Sequence, residues 1–184
     1  TLAVNTLGVS FGGLLDGSGN VTVATSMTLG SLGAGGTGTV GGTGVLTNNN
    51  QTFIPQGALD GKTFNSNGTS SITGSLSMSN GAVFNNLALR TLNAQPGGAG
   101  GSITQGAGAV SAFNNQGTFV LNPGIAVNFD VTGMQFSNTG TVTITTGTLR
   151  VLGAGGTYTQ TGAGAVTEFS GTLSGDMTVA NPLQ

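Results

Sequence analysis

Apolar residues alternate with polar or small residues, at a period of two, in several stretches of the chain. Their apolar members are Val21, Val23, Met27, Leu29, Leu76, Met78, Ile125, Val127, Phe129, Val131, Val142 and Ile144. Successive side chains of a β-strand point to opposite faces, so this alternation predicts strands with one apolar face and one small or hydroxyl-bearing face. Apolar residues at helical spacing are lacking and glycine recurs throughout, so no helix is predicted.

A six-residue phrase, Phe-[Asn/Ser]-[Asn/Ser]-x-Gly-Thr, begins at Phe64, at Phe113 and at Phe136. We expect its phenylalanine to point inward and stack on its counterpart in the next repeat, and its amide side chains to form ladders at a corner. We expect its glycine to make a turn with positive φ and its threonine to open the next strand. The structural repeat positions are Phe64, Gly68, Thr69, Phe84, Phe113, Gly117, Thr118, Phe136, Gly140, Thr141 and Phe169.

A longer glycine-rich phrase, residues 98–113, returns as residues 153–169 with one inserted residue. Units of a turn and a strand bury apolar surface only by stacking on one another. The repeats therefore predict an all-β chain folded as a parallel β-helix, or β-solenoid, of roughly six to eight coils.

We expect residues 1–184 to form a single β-solenoid domain, with looser glycine-rich coils over 1–50 and clearer repeats over 51–184. The alternative fold is a β-sandwich, a pilin-like subunit that donates an N-terminal strand such as residues 2–9 to its neighbour.

The composition excludes several classes of function. Glycine accounts for 36 of 184 residues, but 36% of the chain is hydrophobic and the mean hydropathy is +0.21, so the chain is not of the disordered type. Charged residues make up 4% and the net charge is −2, which leaves no basic patch for nucleic acid. No apolar run is long enough for membrane insertion. Cysteine is absent, so disulfides and thiolate metal sites are excluded.

Three glycine-containing motifs resemble catalytic or nucleotide-binding motifs, but none has the required surroundings. Residues 8–12 match the nucleophile elbow of serine hydrolases, but the chain has no histidine to deprotonate Ser10. Residues 33–38 fit the dinucleotide fingerprint, but no helix follows. Residues 57–63 are one residue too short for a phosphate-binding loop, and predict instead a tight turn with Lys62 solvated beside it.

A metal site and a cofactor site are not expected either. Asp16, Ser18 and Asn20 occupy the first, third and fifth positions of a calcium-loop pattern. However, Val21 and Met27 stand where that loop needs glycine and glutamate.

An enzyme that cleaves polysaccharides on a β-helix would need clustered acids. Glu168 and Asp176 are the closest pair in sequence, and Arg150 could lie one coil away. A surface ion pair is the expected role of these residues, and no catalytic residue is predicted. The threonines at 141, 143 and 145 resemble an ice-binding row, but the Thr-x-Thr pattern does not recur in register.

Residues 136–152 and 167–173 are similar to the strand-repeat segments of large secreted bacterial surface proteins. The Gly-Thr-Tyr-Thr-Gln sequence at 156–160 resembles the passenger-associated repeat of autotransporter adhesins. This resemblance implies a right-handed parallel β-helix located outside the cell. It brings no catalytic residue with it.

These observations favour a non-enzymatic structural segment of an extracellular surface protein or fibre, which self-associates end to end into a filament. A second hypothesis is an adhesin that binds glycans or proteins of a host or a neighbouring cell. The lack of tryptophan and the single tyrosine, Tyr158, count against tight sugar stacking. The third hypothesis is the polysaccharide-cleaving enzyme.

Overall fold

The structure is a computed structural model that describes residues 1–31, 36–153, 157–161, 165–169, 172–175 and 177–179. These residues form strands and turns, with no helix among them. The strands are β1 Leu2–Val9, β2 Leu14–Leu15, β3 Val21–Leu29, β4 Gly38–Gly41, β5 Val45–Asn48, β6 Gln51–Asp60, β7 Thr63–Ser66, β8 Thr69–Ser79, β9 Val83–Asn86, β10 Thr91–Ala94, β11 Gly101–Gln105, β12 Ala112–Asn115, β13 Thr118–Leu121, β14 Asn128–Thr132, β15 Gln135–Asn138, β16 Thr141–Ile144, β17 Thr148–Leu152, β18 Thr157–Gln160, β19 Val166–Phe169, β20 Thr172–Gly175 and β21 Met177–Val179.

All pairings between the described strands are parallel, and each strand pairs with its equivalent in the neighbouring coils, on both sides except for β1, β2, β19, β20 and β21, which pair on one side. About seven coils stack in this way, which confirms the β-solenoid and its predicted size. The β-sandwich alternative is wrong, because hairpin-connected sandwiches are built from antiparallel strands. The handedness of the coil stays a prediction.

Each coil has three faces. Face A consists of the first parts of β1 and β3 together with the whole of β5, β7, β9, β12, β15, β18 and β21. Face B consists of the later parts of β1 and β3, the first parts of β6 and β8, and β10, β13, β16 and β19. Face C consists of β2, β4, the later parts of β6 and β8, and β11, β14, β17 and β20.

An aromatic column runs through the interior along face A. Phe64, Phe84, Phe113, Phe136 and Tyr158 are paired in successive coils and are fully buried. Their ring centroids lie 4.9, 5.6, 4.6 and 4.9 Å apart in that order, within the range of favourable aromatic contacts. The predicted inward stacking is therefore confirmed for these four phenylalanines.

The placement of Phe169 in the same series was wrong. Phe169 lies on β19 of face B, where it pairs with Ile144. The residue that follows Phe136 in the aromatic column of face A is Tyr158. The positions of phenylalanine in the sequence do not identify the column completely, because a tyrosine, Tyr158, fills the position after Phe136.

The repeated glycine-rich phrase does not occupy equivalent places in the solenoid. Its first copy contains β11 of face C and β12 of face A, whereas its second copy contains β18 of face A and β19 of face B. The phrase thus contains two strands in each copy, but it does not specify which faces those strands form.

The glycines of the six-residue phrase are required for a different reason than expected. Positive φ was predicted at Gly68, Gly117 and Gly140, and this is wrong, because none of them has a positive φ. A Cβ atom at any of these positions would lie well under 3.0 Å from a backbone oxygen of the preceding coil, that of Asn50 for Gly68 and of Arg90 for Gly117. Glycine is needed there because consecutive coils approach closely at this corner.

The predicted strands are present, except that β14 starts three residues later than the alternating pattern predicts. Thr69, Thr118 and Thr141 open β8, β13 and β16 as expected. The alternating run that begins at Ile125 predicted a strand, but β14 starts only at Asn128 and Ile125 is an exposed loop residue. The inward residues of β3, β8, β14 and β16 are buried, and they belong to one continuous hydrophobic core.

Candidate functional site

A ladder of buried amides runs inside the solenoid, at the end of the strands of face A. Asn86 donates from Nδ2 to Asn115 Oδ1 at 2.7 Å, Asn115 to Asn138 Oδ1 at 2.8 Å, and Asn138 to Gln160 Oε1 at 3.2 Å. All four side chains are fully buried. The predicted ladder at the corner is thus present, and it joins the four successive coils that contain these residues by hydrogen bonds inside the core.

The same amides also bind the backbone at the start of the face B strand in the next coil. Asn86 donates to the carbonyl oxygen of Thr118 at 3.0 Å, and Asn115 donates to that of Thr141 at 2.8 Å. The ladder is interrupted at Ser66, which bonds Ser70 at 2.6 Å instead. In the described part of the chain, the Oδ1 atoms of Asn48 and Asn86 on either side of this gap are buried without a hydrogen-bond partner.

A second amide ladder lies outside, one residue earlier on face A. Asn114 donates to Asn85 Oδ1 and Asn85 to Asn65 Oδ1, both at 2.9 Å. The donors of this outer ladder point toward the N-terminal coils, opposite to those of the inner ladder. These side chains are half-buried.

Tyr158 ends the aromatic column with a polar contact. Its hydroxyl lies 2.6 Å from Thr167 Oγ1 and donates to Gln160 Oε1 at 3.0 Å. Burial raises the pKa of this phenol above its ordinary value, although the hydrogen bond to Thr167 acts in the opposite direction.

An ion pair on face C is the only one in the described residues. Arg150 donates from Nε and Nη2 to the carboxylate of Asp130, at 2.7 and 2.6 Å, across one coil. The pair borders a polar lateral groove of about 330 Å³, which is lined by Gly98, Ala99, Gly100, Gly101, Ala126, Val127, Asn128, Asp130 and Arg150.

Of the two neighbours predicted for Arg150, Glu168 is wrong and Asp176 stays untested. Arg150 lies on face C and Glu168 on face B, while Asp176 lies outside the described residues. The role predicted for Arg150, a surface ion pair, is correct, but its partner is Asp130.

The other candidate motifs do not assemble into a site. Ser10 follows β1 in a turn, and residues 33–35 of the motif at 33–38 lie outside the described part. The tight turn at Gly61 is confirmed by its φ of 70°. Lys62 was expected to be solvated, and this is wrong, since it is only 2% exposed. Among the residues that the structure describes, no group of acids could hold a metal ion.

The threonine row does not form a flat face. In the outward column of face B that contains Thr143, the preceding coils contribute Val120, Asn93, Ser71 and Phe53. The prediction that Thr-x-Thr does not recur in register is therefore confirmed.

The first coil exposes apolar side chains at its outer edge. Leu2, Phe11 and Leu14 are 54%, 76% and 65% exposed. Within the described part of the chain, β1 and β2 have a partner strand on one side only. A cavity of about 370 Å³ opens at this end, lined by Thr1, Leu2, Leu15, Asp16, Gly17, Gly19, Asn20, Val21 and Lys62.

None of the described residues belongs to a helix long and apolar enough to cross a membrane. Comparison of the chain with protein-family models, with curated proteins and with solved structures found no match. The resemblance to bacterial surface-protein repeats is therefore supported only in its coarser part, the β-solenoid of stacked coils.

Proposed function

We propose that this chain is a structural rod segment of an extracellular surface protein or fibre, and that its first coil receives a coil of a second copy of the chain. The observation that carries the proposal is the unpaired, apolar edge of β1 and β2 beneath a continuous parallel ladder. An exposed strand edge of this kind is a template for pairing with another chain.

A second copy is the occupant that fits this edge. A coil of the same chain has the same three faces with apolar residues pointing inward, so it continues the backbone ladder of this edge. In the described residues, the strands β19, β20 and β21 also pair on one side only. Head-to-tail contacts of this kind do not close and therefore produce filaments.

The interior supports a mechanical role. Along face A, the aromatic column connects the five successive coils from Phe64 to Tyr158, and the amide ladder connects the four from Asn86 to Gln160. Charged residues are few, so stacked coils do not place like charges above one another. A rod of this type resists bending because each coil is bonded to its neighbours over three faces.

Sedimentation velocity and electron microscopy of the purified chain, at increasing concentration, test the proposal. We expect unbranched filaments of uniform width. The double substitution Leu2→Lys/Leu14→Lys places charge on the edge and should abolish them, whereas Leu89→Lys, at a lateral residue that is 96% exposed, should not. A monomer at all concentrations, or equal effects of the two variants, would contradict end-to-end association.

A second candidate function is lateral binding of a glycan or protein, for which the polar groove beside Asp130 and Arg150 is the supporting observation. It predicts glycan-array binding that Arg150→Ala abolishes. The structure gives the enzyme hypothesis no such support, because Arg150 and Glu168 lie on different faces.

A further inference from the structure

Lys62 occupies a corner position inside the solenoid, between faces C and A. Its ammonium group donates to the carbonyl oxygens of Gly17 at 2.7 Å and Thr43 at 2.6 Å, with Gly19 at 3.5 Å. Gly17 and Gly19 belong to the first corner of this series and Thr43 to the second, whereas Lys62 lies in the third. The side chain therefore runs along the axis past two preceding corners.

The glycine-rich first coils leave space for this side chain. A Cβ atom at Gly42 or Gly44 would collide with the backbone of Gly17 or Ser18, so the second corner packs closely on the first only with glycine at these two positions. In the later coils the position equivalent to Lys62 holds the small or apolar side chains of Ala82, Ser111 and Met134, as the backbone bonds between these corners show. The lysine thus fills a channel that exists only where the corners are made of glycine.

The charge of Lys62 is balanced by carbonyl dipoles. The single ion pair of the described residues joins Arg150 and Asp130, so no carboxylate oxygen forms an ion pair with Lys62. Asp16 lines the same cavity, and its Oδ1 accepts from the backbone of Gly17 at 2.8 Å. Converging carbonyl oxygens beside a carboxylate are the ligands typical of hard cations.

We propose that the corner formed by residues 16–20 and Thr43 is a cation-binding site whose occupant is the ammonium group of Lys62 itself. The side chain takes the place of a metal ion and fixes the first corner onto the second and third. Removal of the side chain beyond Cβ then leaves a carbonyl-lined channel that accepts a primary alkylammonium ion of matching length.

Amide hydrogen exchange of the full chain tests this inference, with residues 14–23 as the reporter. Loss of hydrogen bonds to a charged group should raise exchange in Lys62→Ala on the order of tenfold to a hundredfold. n-Propylammonium, which has the three carbons and the nitrogen that the substitution removes, should restore the protection, whereas tetramethylammonium, which has no N–H donor, should not. Lys62→Met, which fills the channel without a charge, should exchange faster than wild type and gain nothing from n-propylammonium.

Calcium chloride forms a further arm of the experiment. Calcium and a chelator should leave the wild-type exchange unchanged, because the site is already filled. Unchanged exchange in Lys62→Ala, restoration of Lys62→Met, or equal restoration by the two ammonium salts would each overturn the proposal. If Lys62→Ala does not fold alone, its refolding yield in n-propylammonium is compared with that in tetramethylammonium; a higher yield in n-propylammonium supports the proposal and equal yields overturn it.

Discussion

Asn115 and its neighbour Asn114 offer a matched test of the interior ladder, because the same residue type faces inward at one position and outward at the other. The Asn115 amide accepts from Asn86 at 2.7 Å and donates to Asn138 at 2.8 Å within the core. Asn115→Ala removes both bonds and the bond to the carbonyl oxygen of Thr141 at 2.8 Å, so the Asn86 amide and the Thr141 carbonyl each lose this buried partner, while Asn138 Oδ1 keeps the N–H of Gly140. At about 1–3 kcal/mol for each such buried group, we expect a loss of about 2–6 kcal/mol in the free energy of unfolding.

Asn114→Ala removes one half-exposed bond, of 2.9 Å to Asn85, and water can replace it. The expected loss is about 1 kcal/mol or less. Guanidinium denaturation followed by circular dichroism gives both values under one set of conditions. Equal losses, or a larger loss for Asn114→Ala, would refute the assignment of Asn115 to the core and of Asn114 to the surface.

Three further predictions concern the corner glycines, Tyr158 and the ion pair. Gly140→Ala should cost about 1–3 kcal/mol in denaturant unfolding, and Gly97→Ala, whose Cβ would meet nothing within 4 Å, should be neutral. Because burial raises the pKa of Tyr158, the folded chain keeps a proton that the unfolded chain releases, so stability should be full below about pH 10 and fall above it. Tyr158→Phe should remove that alkaline loss, and phenolate absorbance reports the titration directly, since the chain has one tyrosine. Arg150→Gln should leave the melting temperature unchanged at low and at high salt, because the pair with Asp130 is partly exposed; a salt-dependent drop would argue for a larger role.

The stacked β fold was predictable from sequence because its determinants are local. The phrase that starts at Phe113 contains an inward aromatic, an outward amide, an inward amide and a glycine in fixed order, and each of these is found in the structure. The two-residue alternation, read together with the repetition, was sufficient to predict parallel coils.

The details that depend on coil length could not be predicted in the same way. Arg150 and Asp130 are 20 residues apart, and because the coils differ in length, no spacing rule identifies them as neighbours. Phe169 fitted the phenylalanine series in sequence but lies on another face. Lysine side chains are mostly exposed to solvent in proteins, and no local sequence feature of Lys62 indicates that it is buried.

The glycines show a related limit. The repeated glycine indicates that a side chain is not tolerated at Gly117. The sequence does not show whether the reason is a positive φ or a close backbone neighbour. Here the reason is a carbonyl oxygen of the preceding coil, a contact between residues distant in sequence.

Disulfide cross-linking tests the stacking of coils most directly, because the chain has no cysteine of its own. Asn85 and Asn114 are parallel partners in adjacent coils, 29 residues apart, with side chains on the outer surface. Adjacent strands lie about 4.8 Å apart, within the range for a disulfide, whereas strands two coils apart lie at about twice that distance. We predict that Asn85→Cys/Asn114→Cys oxidises to an intramolecular disulfide and that Asn85→Cys/Ser137→Cys does not; the reverse result, or no bond in either variant, would contradict the solenoid.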